Sequence, residues 1–425
     1  MDVIADLQWR GLVAQMTDAG LGARLASAPV TVYHGIDATA DSLHVGNLLG
    51  VLVLQRLQRA GHRPIVLLGG GTTLIGDPSG KEAERPMRPV EEVRANVAAI
   101  GRQLERFLDF GTGPSGAVLV DNADWLCSEP LTDFLRDVGK HFTVNAMMAK
   151  DSVRRRLEDR EQGISFTEFS YMLLQAFDYL HLYDTMGTRL QIGGSDQWGN
   201  ITAGVDLVRR ARGASVDGLT WPLLTRSDGT KFGKSVEGNV WLDATRTSPY
   251  EMFQFWFQAD DADVGRLLRT FTDLGPVEIE TLEAEGAERP QDRAPQRALA
   301  RHVTAAVHGA AAASQAEQAA QALFGGDLAG LDGPALEGVF ADAPSSVLPR
   351  TGLEGGLGLV ELLAQTGVSP SRSAARREIA QGGIYLNNTR VEDPDRVVRP
   401  ADLLAGAFVV VRRGKRAYHL LRFGE

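Results

Sequence analysis

The stretch GIDATADSLHVGN, Gly35 to Asn47, places Asp37, Thr39, Asp41 and His44 at the mouth of a long apolar run. A strand before it and a helix after it would set these groups at a helix N-terminus, whose unpaired N–H groups and positive dipole end suit a phosphate. His44 adds a donor to the same anion, and Asp41 or Ser42 fits the N-cap. A second stretch, KFGKS from Lys231 to Ser235, sets two lysines three residues apart in a glycine-flanked turn. Such a pair can clamp charge growing on a leaving polyphosphate. A third set, Tyr171, Gln175 and Asp178, lies among Met172, Leu173, Leu174, Ala176, Phe177 and Leu180. At 3.6 residues per turn the three fall within about 60° of one helical face. That row is either a thin solvated stripe or a pocket wall whose polar atoms a ligand satisfies. Each stretch, taken singly, equally fits a helix cap, a solvated charge pair or a polar stripe.

These groups need elements to hold them. Strand-like runs alternate with helical patterns through the first half: VTVYHGI, a helix near 45–60, PIVLLGGG, a helix near 90–109, AVLVDNA, helices near 131–150 and 167–180, RLQIGG, and a helix near 201–211. This alternation predicts an α/β fold with a doubly wound, mostly parallel sheet. Ligands of such sheets bind beyond the carboxyl ends of the strands. The His44 stretch follows a strand, and so does QIGGSDQWGN, whose Gly193 and Gly194 permit close backbone approach. An Ala-rich, helix-favouring region runs from about 248 to 324, and a Gly/Pro-rich stretch after it reads as a flexible linker. The predicted division is 1–225 for the Rossmann-like domain, 226–325 for the KFGKS loop and helices, 326–356 for the linker and 357–425 for a small α+β domain. In the last part Ser371 can cap the second of two short helices, which hairpins follow.

Composition bounds the setting. The chain has 425 residues, 44% of them hydrophobic, which supports more than one domain. Its single cysteine, Cys127, cannot close an internal disulfide, and no run reaches membrane-spanning length. The N-terminus lacks the pattern of a secretory signal, so a cytoplasmic protein with no membrane partner is expected. The net charge is −10, yet residues 370–425 carry 11 Lys or Arg against 6 Asp or Glu, leaving −15 on the remainder. A basic tail on an acidic body predicts small-molecule work in front and polyanion contact behind. GDPSGKE is one residue short of a phosphate-binding P-loop and ends in Glu82, and GGGTTLIGD lacks the dinucleotide-binding register.

Together HVGN and KFGKS resemble the two signature motifs of class I aminoacyl-tRNA synthetases. With YHGIDATADSLHVGN, GDPSGK, ISFTEFSYMLLQAFDYL and QIGGSDQWGN in order and spacing, essentially the whole chain resembles the bacterial tyrosine–tRNA ligase family. The resemblance implies a two-step ligation: the carboxylate of L-tyrosine attacks the α-phosphate of ATP, pyrophosphate leaves, and tyrosyl-adenylate passes its acyl group to tRNA(Tyr) with release of AMP. It implies that Tyr33 and Asp178 meet the phenolic hydroxyl and that Tyr171, Gln175 and Asp77 hold the ammonium, while Gln197 positions the carboxylate or α-phosphate. ATP would meet Gly35, Asp37, His44, Gly46, Asn47, Gly193, Asp196 and Lys234, with Asp196 on the ribose. Thr39, His44, Asn47, Lys231, Lys234 and Ser235 would serve adenylate formation, and Lys81 and Arg85 would reach the β/γ-phosphates from a mobile loop. Mg²⁺ is expected with ATP, and no protein-held metal site is.

The tail resembles an S4-type RNA-binding domain, with Arg372, Arg376, Arg377, Arg412, Arg413 and Lys415 as its tRNA contacts. A homodimer through the catalytic domain is also implied. Three positions depart from the family: Asn47 for the motif's last histidine, Ala38 where proline is common and His34 where cysteine is frequent. A tryptophan ligase is close in architecture, but Asp178 with Tyr33 favours a phenol over an indole by resemblance. A non-enzymatic RNA-binding protein with a synthetase-like shell is the other alternative, and the intact motifs weigh against it.

Overall fold

A computed structural model describes residues 2–79, 87–150, 153–154, 157, 163–225, 227, 229–230, 232–235, 238–322, 328–341, 343–353, 355–414 and 417–424, with only the backbone of 234, 235 and 322. Residues 1–246 with 260–288 form one compact unit, and 247–259 with 289–425 a second.

The first unit is built on β1 (Gln15–Met16), β2 (Thr31–Ile36), β3 (Arg63–Leu68), β4 (Val118–Asp121), β5 (Leu190–Gly194) and β6 (Asp217–Trp221), in the order β1-β6-β5-β2-β3-β4. Every pairing is parallel except the antiparallel edge of β1 on β6. Five successive residues of β3, Pro64 to Leu68, are buried, as befits a strand covered on both faces. From β2 the chain crosses to β3 on one side, and β5 lies on the other. That reversal opens a crevice at the carboxyl end of β2.

The helix Val45–Arg59 leaves that crevice with Val45, Leu48, Leu49, Val51, Leu52, Val53, Leu54 and Leu57 buried. Its N-cap is His44, not Asp41 or Ser42: the backbone N–H of His44 donates to Asn47 Oδ1 at 3.1 Å. The helix starts later than the cap preferences predict because backbone bonds to residues 240–242 fix the entering chain. The helix expected over 90–109 spans Val90–Leu104. The one expected over 131–150 is two short helices, Leu131–Asp137 and Val144–Met148, divided by a 3₁₀ turn at Gly139–His141. Thr143 starts the second, accepting from the N–H of Ala146.

The long helix Phe166–Met186 begins on Ser165, whose hydroxyl accepts from the Glu168 N–H at 3.2 Å. It packs against the helix Trp198–Arg212 where Gly204 allows contact: a Cβ there would lie 3.0 Å from the Tyr179 ring. A short hairpin of β7 (Lys234–Ser235) and β8 (Gly238–Asn239) precedes the helices Asp261–Phe271 and Pro276–Glu288.

The second unit holds the helices Pro249–Phe257, Ala294–His308, Ala310–Ala322 and Gly333–Val339. There follow β9 (Ser345–Pro349), β10 (Leu357–Gly358), the helices Leu359–Gln365 and Arg372–Ala380, β11 (Ile384–Leu386), β12 (Thr389–Val391), β13 (Val397–Val398), β14 (Phe408–Arg413) and β15 (Ala417–Gly424). One sheet runs β12-β11-β14-β15-β9, and β10 pairs with β13.

The stretch expected to be a flexible linker, 326–356, is structured in the residues described. Leu336, Val339 and Phe340 pack with Leu404, Val410 and Leu420, and β9 pairs in parallel with β15. Gly/Pro content masked a strand whose partner lies 75 residues on. Among the described residues no helix is long and apolar enough to cross a membrane.

Candidate active site

A cleft of about 1440 Å³ opens where β2 and β5 end. Its wall brings together Tyr33, Gly35, Asp37, Thr39, His44, Gly46, Asn47, Asp77, Tyr171, Gln175, Asp178, Gly193, Asp196 and Gln197. Lys81, Arg85 and Lys231 lie outside the described residues. Lys234 and Ser235 are described only as backbone, in β7.

At the deep end the polar groups are buried and prearranged. Asp178, 2% exposed, accepts from Asn122 Nδ2 at 2.9 Å and from Trp125 Nε1 at 2.8 Å, one donor on each carboxylate oxygen. Burial nevertheless pushes its pKa up to about 8, against the pull of those two donors. The Tyr33 hydroxyl is buried with no hydrogen-bond partner among the described residues, and so are Gln175 Oε1 and Gln191 Oε1. Burial, then the nearby Asp178, drives the Tyr33 phenol well above its ordinary pKa. Unpaired buried polar atoms at a pocket wall are what a bound ligand would satisfy.

Tyr171 donates to Asp37 Oδ2 at 3.1 Å and Thr72 to Asp37 Oδ1 at 2.9 Å, so Asp37 is held by its neighbours. Asp77 accepts from Gln197 Nε2 at 2.7 Å and from the Ser79 N–H at 2.9 Å. Burial raises the Asp196 pKa, with Asp77 adding to it. Sequence reasoning missed Asn122, Trp125, Thr72 and Gln191. The first three come from other stretches of the chain, so only folding reveals them. Gln191 stands two residues before Gly193 on β5, and its polarity in an apolar strand was a usable signal.

The turn after β2 is braced by side chains. Thr73 Oγ1 accepts from the Ala38 N–H at 2.8 Å, Asn96 Nδ2 donates to the Ala38 carbonyl at 3.0 Å, and Gln103 Oε1 accepts from the Leu43 N–H at 2.9 Å. Proline at 38 could not donate the first of these bonds. Of the first-turn N–H groups of the His44 helix, Val45 donates to the Val240 carbonyl at 2.9 Å, while Asn47 and Leu48 donate to the His44 carbonyl. Gly46 lets the imidazole lie over this turn, since a Cβ there would fall 2.8 Å from the His44 ring.

The KFGKS loop is tied at both roots. After it, Leu242 N–H donates to the Leu43 carbonyl at 2.8 Å, Trp241 meets the His44 ring edge-on, and Arg246 lies 3.6 Å over Trp241 while pairing with Asp41. Before it, the Ser227 N–H donates to Asp263 at 3.0 Å and Arg266 donates to the Thr225 carbonyl at 2.6 Å. The helix carrying both is clamped at its far end by the buried Arg10 and Arg56, which donate to the Thr272 carbonyl.

His34 has its own accommodation. Its Nδ1 lies 3.2 Å from the Ile192 carbonyl, its ring meets Trp221 edge-on, and burial lowers its pKa to about 4. A Cβ on Gly50 would fall 2.3 Å from His34 Nε2.

In the second unit Ser371 caps its helix as expected, accepting from the Ala374 N–H at 3.2 Å. Arg372 pairs with Glu361 and Arg413 with Glu378, while Arg376 and Arg377 are exposed. Arg412 lies 3.7 Å over Tyr385, on the opposite face of β14 from Arg413. Lys415 lies outside the described residues. Among the described residues no group of three or more His, Cys, Asp or Glu is placed to hold a metal.

The profile of the tRNA synthetases class I (W and Y) matches residues 25–325, and leaves two amino acids open. That of the tyrosine–tRNA ligase SYY-like C-terminal domain matches residues 336–421. A tyrosine–tRNA ligase of Roseiflexus castenholzii is 55% identical over 421 residues, 99% of each chain. The chain belongs to the tyrosine–tRNA ligases. The ligase of Bacillus caldotenax is 54% identical over 426 residues, the full length of both chains. Among solved structures, a C-terminally truncated mitochondrial tyrosyl-tRNA synthetase of Aspergillus nidulans superposes with a TM-score of 0.68 at 31% identity, covering 76% of this chain and 94% of that one. As a member of this family the enzyme attaches L-tyrosine to tRNA(Tyr) for protein synthesis, with ATP as substrate.

Proposed function

We propose that the deep end of the cleft selects tyrosine through Tyr33 and Asp178, and that the mouth activates it. The observation that carries this reading is the unpaired, buried Tyr33 hydroxyl sharing the cleft with a carboxyl already held by Asn122 and Trp125. Asp178 pairs with a phenol in either protonation state, as carboxyl donor or carboxylate acceptor. Phenylalanine leaves the Tyr33 hydroxyl without a partner and offers Asp178 none beyond Asn122 and Trp125. Tyr171, Gln175 and Asp77 take the ammonium, and Gln197, tied to Asp77, guides the carboxylate.

The substrate carboxylate is itself the nucleophile, so little acid–base chemistry is required. Catalysis comes from alignment and from charge stabilisation on the α-phosphate and leaving pyrophosphate. Gly35, Asp37, Gly46, Asn47, Gly193 and Asp196 seat the nucleotide, and Asp196 takes ribose hydroxyls. Thr39, His44, Lys231, Lys234 and Ser235 meet the phosphates, with Lys81 and Arg85 behind them. Mg²⁺ arrives with the nucleotide. ATP–pyrophosphate exchange against all twenty amino acids tests the pocket in one experiment. Exchange driven by tyrosine, with the preference for tyrosine over phenylalanine lowered by Asp178→Asn, is expected; comparable exchange with phenylalanine in the wild type would overturn the assignment.

In the tail, Arg372, Arg376, Arg377, Arg412, Arg413 and Lys415 contact tRNA phosphates. Arg376→Glu with Arg377→Glu is expected to weaken charging and flatten its salt dependence while leaving exchange intact. The enzyme works as a cytoplasmic homodimer: Leu131 at 71% and Phe166 at 80% exposure, with Leu135, Val144 and Met148 also exposed, leave apolar surface on three helices of the first unit. Sedimentation of the wild type as a monomer would refute the dimer.

A further inference from the structure

The carboxyl that faces the substrate is held by a donor that is itself held. Trp125 sits on the four-residue helix Ala123–Leu126, which buries no side chain of its own. One face of its indole is covered by the imidazole of His181, stacked at 4.3 Å between centroids and 14° between planes. His181 follows Asp178 by three residues on the same helix, so one rigid element carries both the carboxyl and the ring that orients its donor. Phe177 meets the His181 ring edge-on at 6.4 Å and Phe134 meets Phe177 at 5.7 Å, which backs the stack from behind. Nothing in the sequence pattern singled out His181.

We infer that His181 is a positioning residue for substrate selection, acting through Trp125 to keep its Nε1–H on Asp178. This rests on the reading of Asp178 as the partner of the phenol. The ring works as a flat, uncharged plate: burial lowers its pKa, and the opposing carboxylates Asp184 and Glu129 do not outweigh that. Without it the short helix loses its lateral support, the 2.8 Å bond to Asp178 loosens, and one carboxyl oxygen loses its fixed direction. The effect belongs to tyrosine recognition and leaves the phosphate end untouched.

The test is ATP–pyrophosphate exchange by the full-length enzyme carrying His181→Ala, His181→Phe or Asp178→Asn, with tyrosine and phenylalanine as substrates. His181→Ala is expected to raise the KM for tyrosine about fivefold, to lower the preference for tyrosine over phenylalanine by the same factor, and to leave kcat and the KM for ATP within about twofold. His181→Phe, which keeps the flat ring, is expected to restore wild-type values. An unchanged tyrosine preference in His181→Ala overturns the inference. So does a fall in kcat with a rise in both KM values, the mark of a merely structural role, or a His181→Phe variant as impaired as the alanine one. If Asp178→Asn leaves the preference unchanged, the reading of Asp178 fails first and takes this inference with it.

Discussion

The two ends of the cleft are built on opposite principles. At the deep end a 21-residue helix presents Asp178 and Tyr171 already held by neighbours, close to the buried Tyr33 hydroxyl and Gln175 Oε1, which have no partner among the described residues. At the mouth the His44 turn and the segment that follows the KFGKS loop are joined by backbone bonds, a ring edge and the Asp41–Arg246 pair, whose carboxyl side is 65% exposed. Rigid, dry pairing suits a choice between two amino acids that differ by one hydroxyl, because an unmet buried group penalises the wrong one. Yielding, wet pairing suits a step in which charge moves from the α-phosphate to a departing pyrophosphate. Selection and acceleration are thus separable by mutation.

The largest effect is expected at the mouth. Lys234→Ala should lower the rate of tyrosyl-adenylate formation by about 2.7–4 kcal/mol of transition-state stabilisation, as other preorganised donors do, with tyrosine affinity nearly unchanged. Stopped-flow kinetics would show it; a large loss of tyrosine affinity at an unchanged rate would break the contrast. At the deep end, Asp178→Ala removes the phenol's partner and strands two donors, a loss of about 3 kcal/mol or roughly two orders of magnitude in kcat/KM for tyrosine. The KM for ATP should stay put.

The same carboxyl predicts a pH dependence. Unfolded, Asp178 releases its proton near its ordinary pKa of 3.8; folded, it keeps it up to about 8. Between those values the folded state holds the extra proton, so the stability it contributes is full below about 3.8 and lost as pH climbs to about 8. Urea unfolding of the wild type should weaken across that window relative to Asp178→Asn, and parallel curves would refute the burial effect.

A smaller effect sharpens the comparison from between the two ends. Gly→Ala inside a helix ordinarily stabilises by about 1 kcal/mol, yet Gly50→Ala drives a Cβ into His34 Nε2 and is expected to destabilise by about 1–3 kcal/mol. Adding His34→Ala should reverse the sign; a stabilised single mutant would mean the imidazole yields freely. Smallest of all, Asp41→Asn releases a largely exposed pair, so a change of about 0.2–1 kcal/mol is expected in activation. A tenfold fall in adenylate formation would show the mouth to be more rigid than its exposure implies.

The sequence made legible the groups that carry chemistry on consecutive residues or one helical face. Periodicity puts Tyr171, Gln175 and Asp178 on one face and a polar turn puts His44 before an apolar helix, but it is the family resemblance that marks them as candidate site residues. What the sequence concealed were partners that only folding supplies. Asn122 and Trp125 reach Asp178 from more than 50 residues away, and their own neighbourhood reads as an ordinary strand end. The N-cap was misplaced for a related reason: local preference favours Asp41 or Ser42, but the distant Val240 carbonyl decides where the first turn begins. The departures at Ala38 and Asn47 likewise acquire meaning only in three dimensions, where the first donates to Thr73 and the second closes on the His44 N–H.

The parallel pairing of β9 with β15 makes the five-stranded sheet a late product of chain synthesis. Residues 345–349 find their partner only in 420–424, so β9 waits unpaired while the 75 residues up to each partner are added. Until β15 arrives, β14 also has a bare edge. Exposed edges of that kind invite aggregation and proteolysis. The order of synthesis thus leaves β9 unprotected for the whole time it takes to make the helices and hairpins between the two strands.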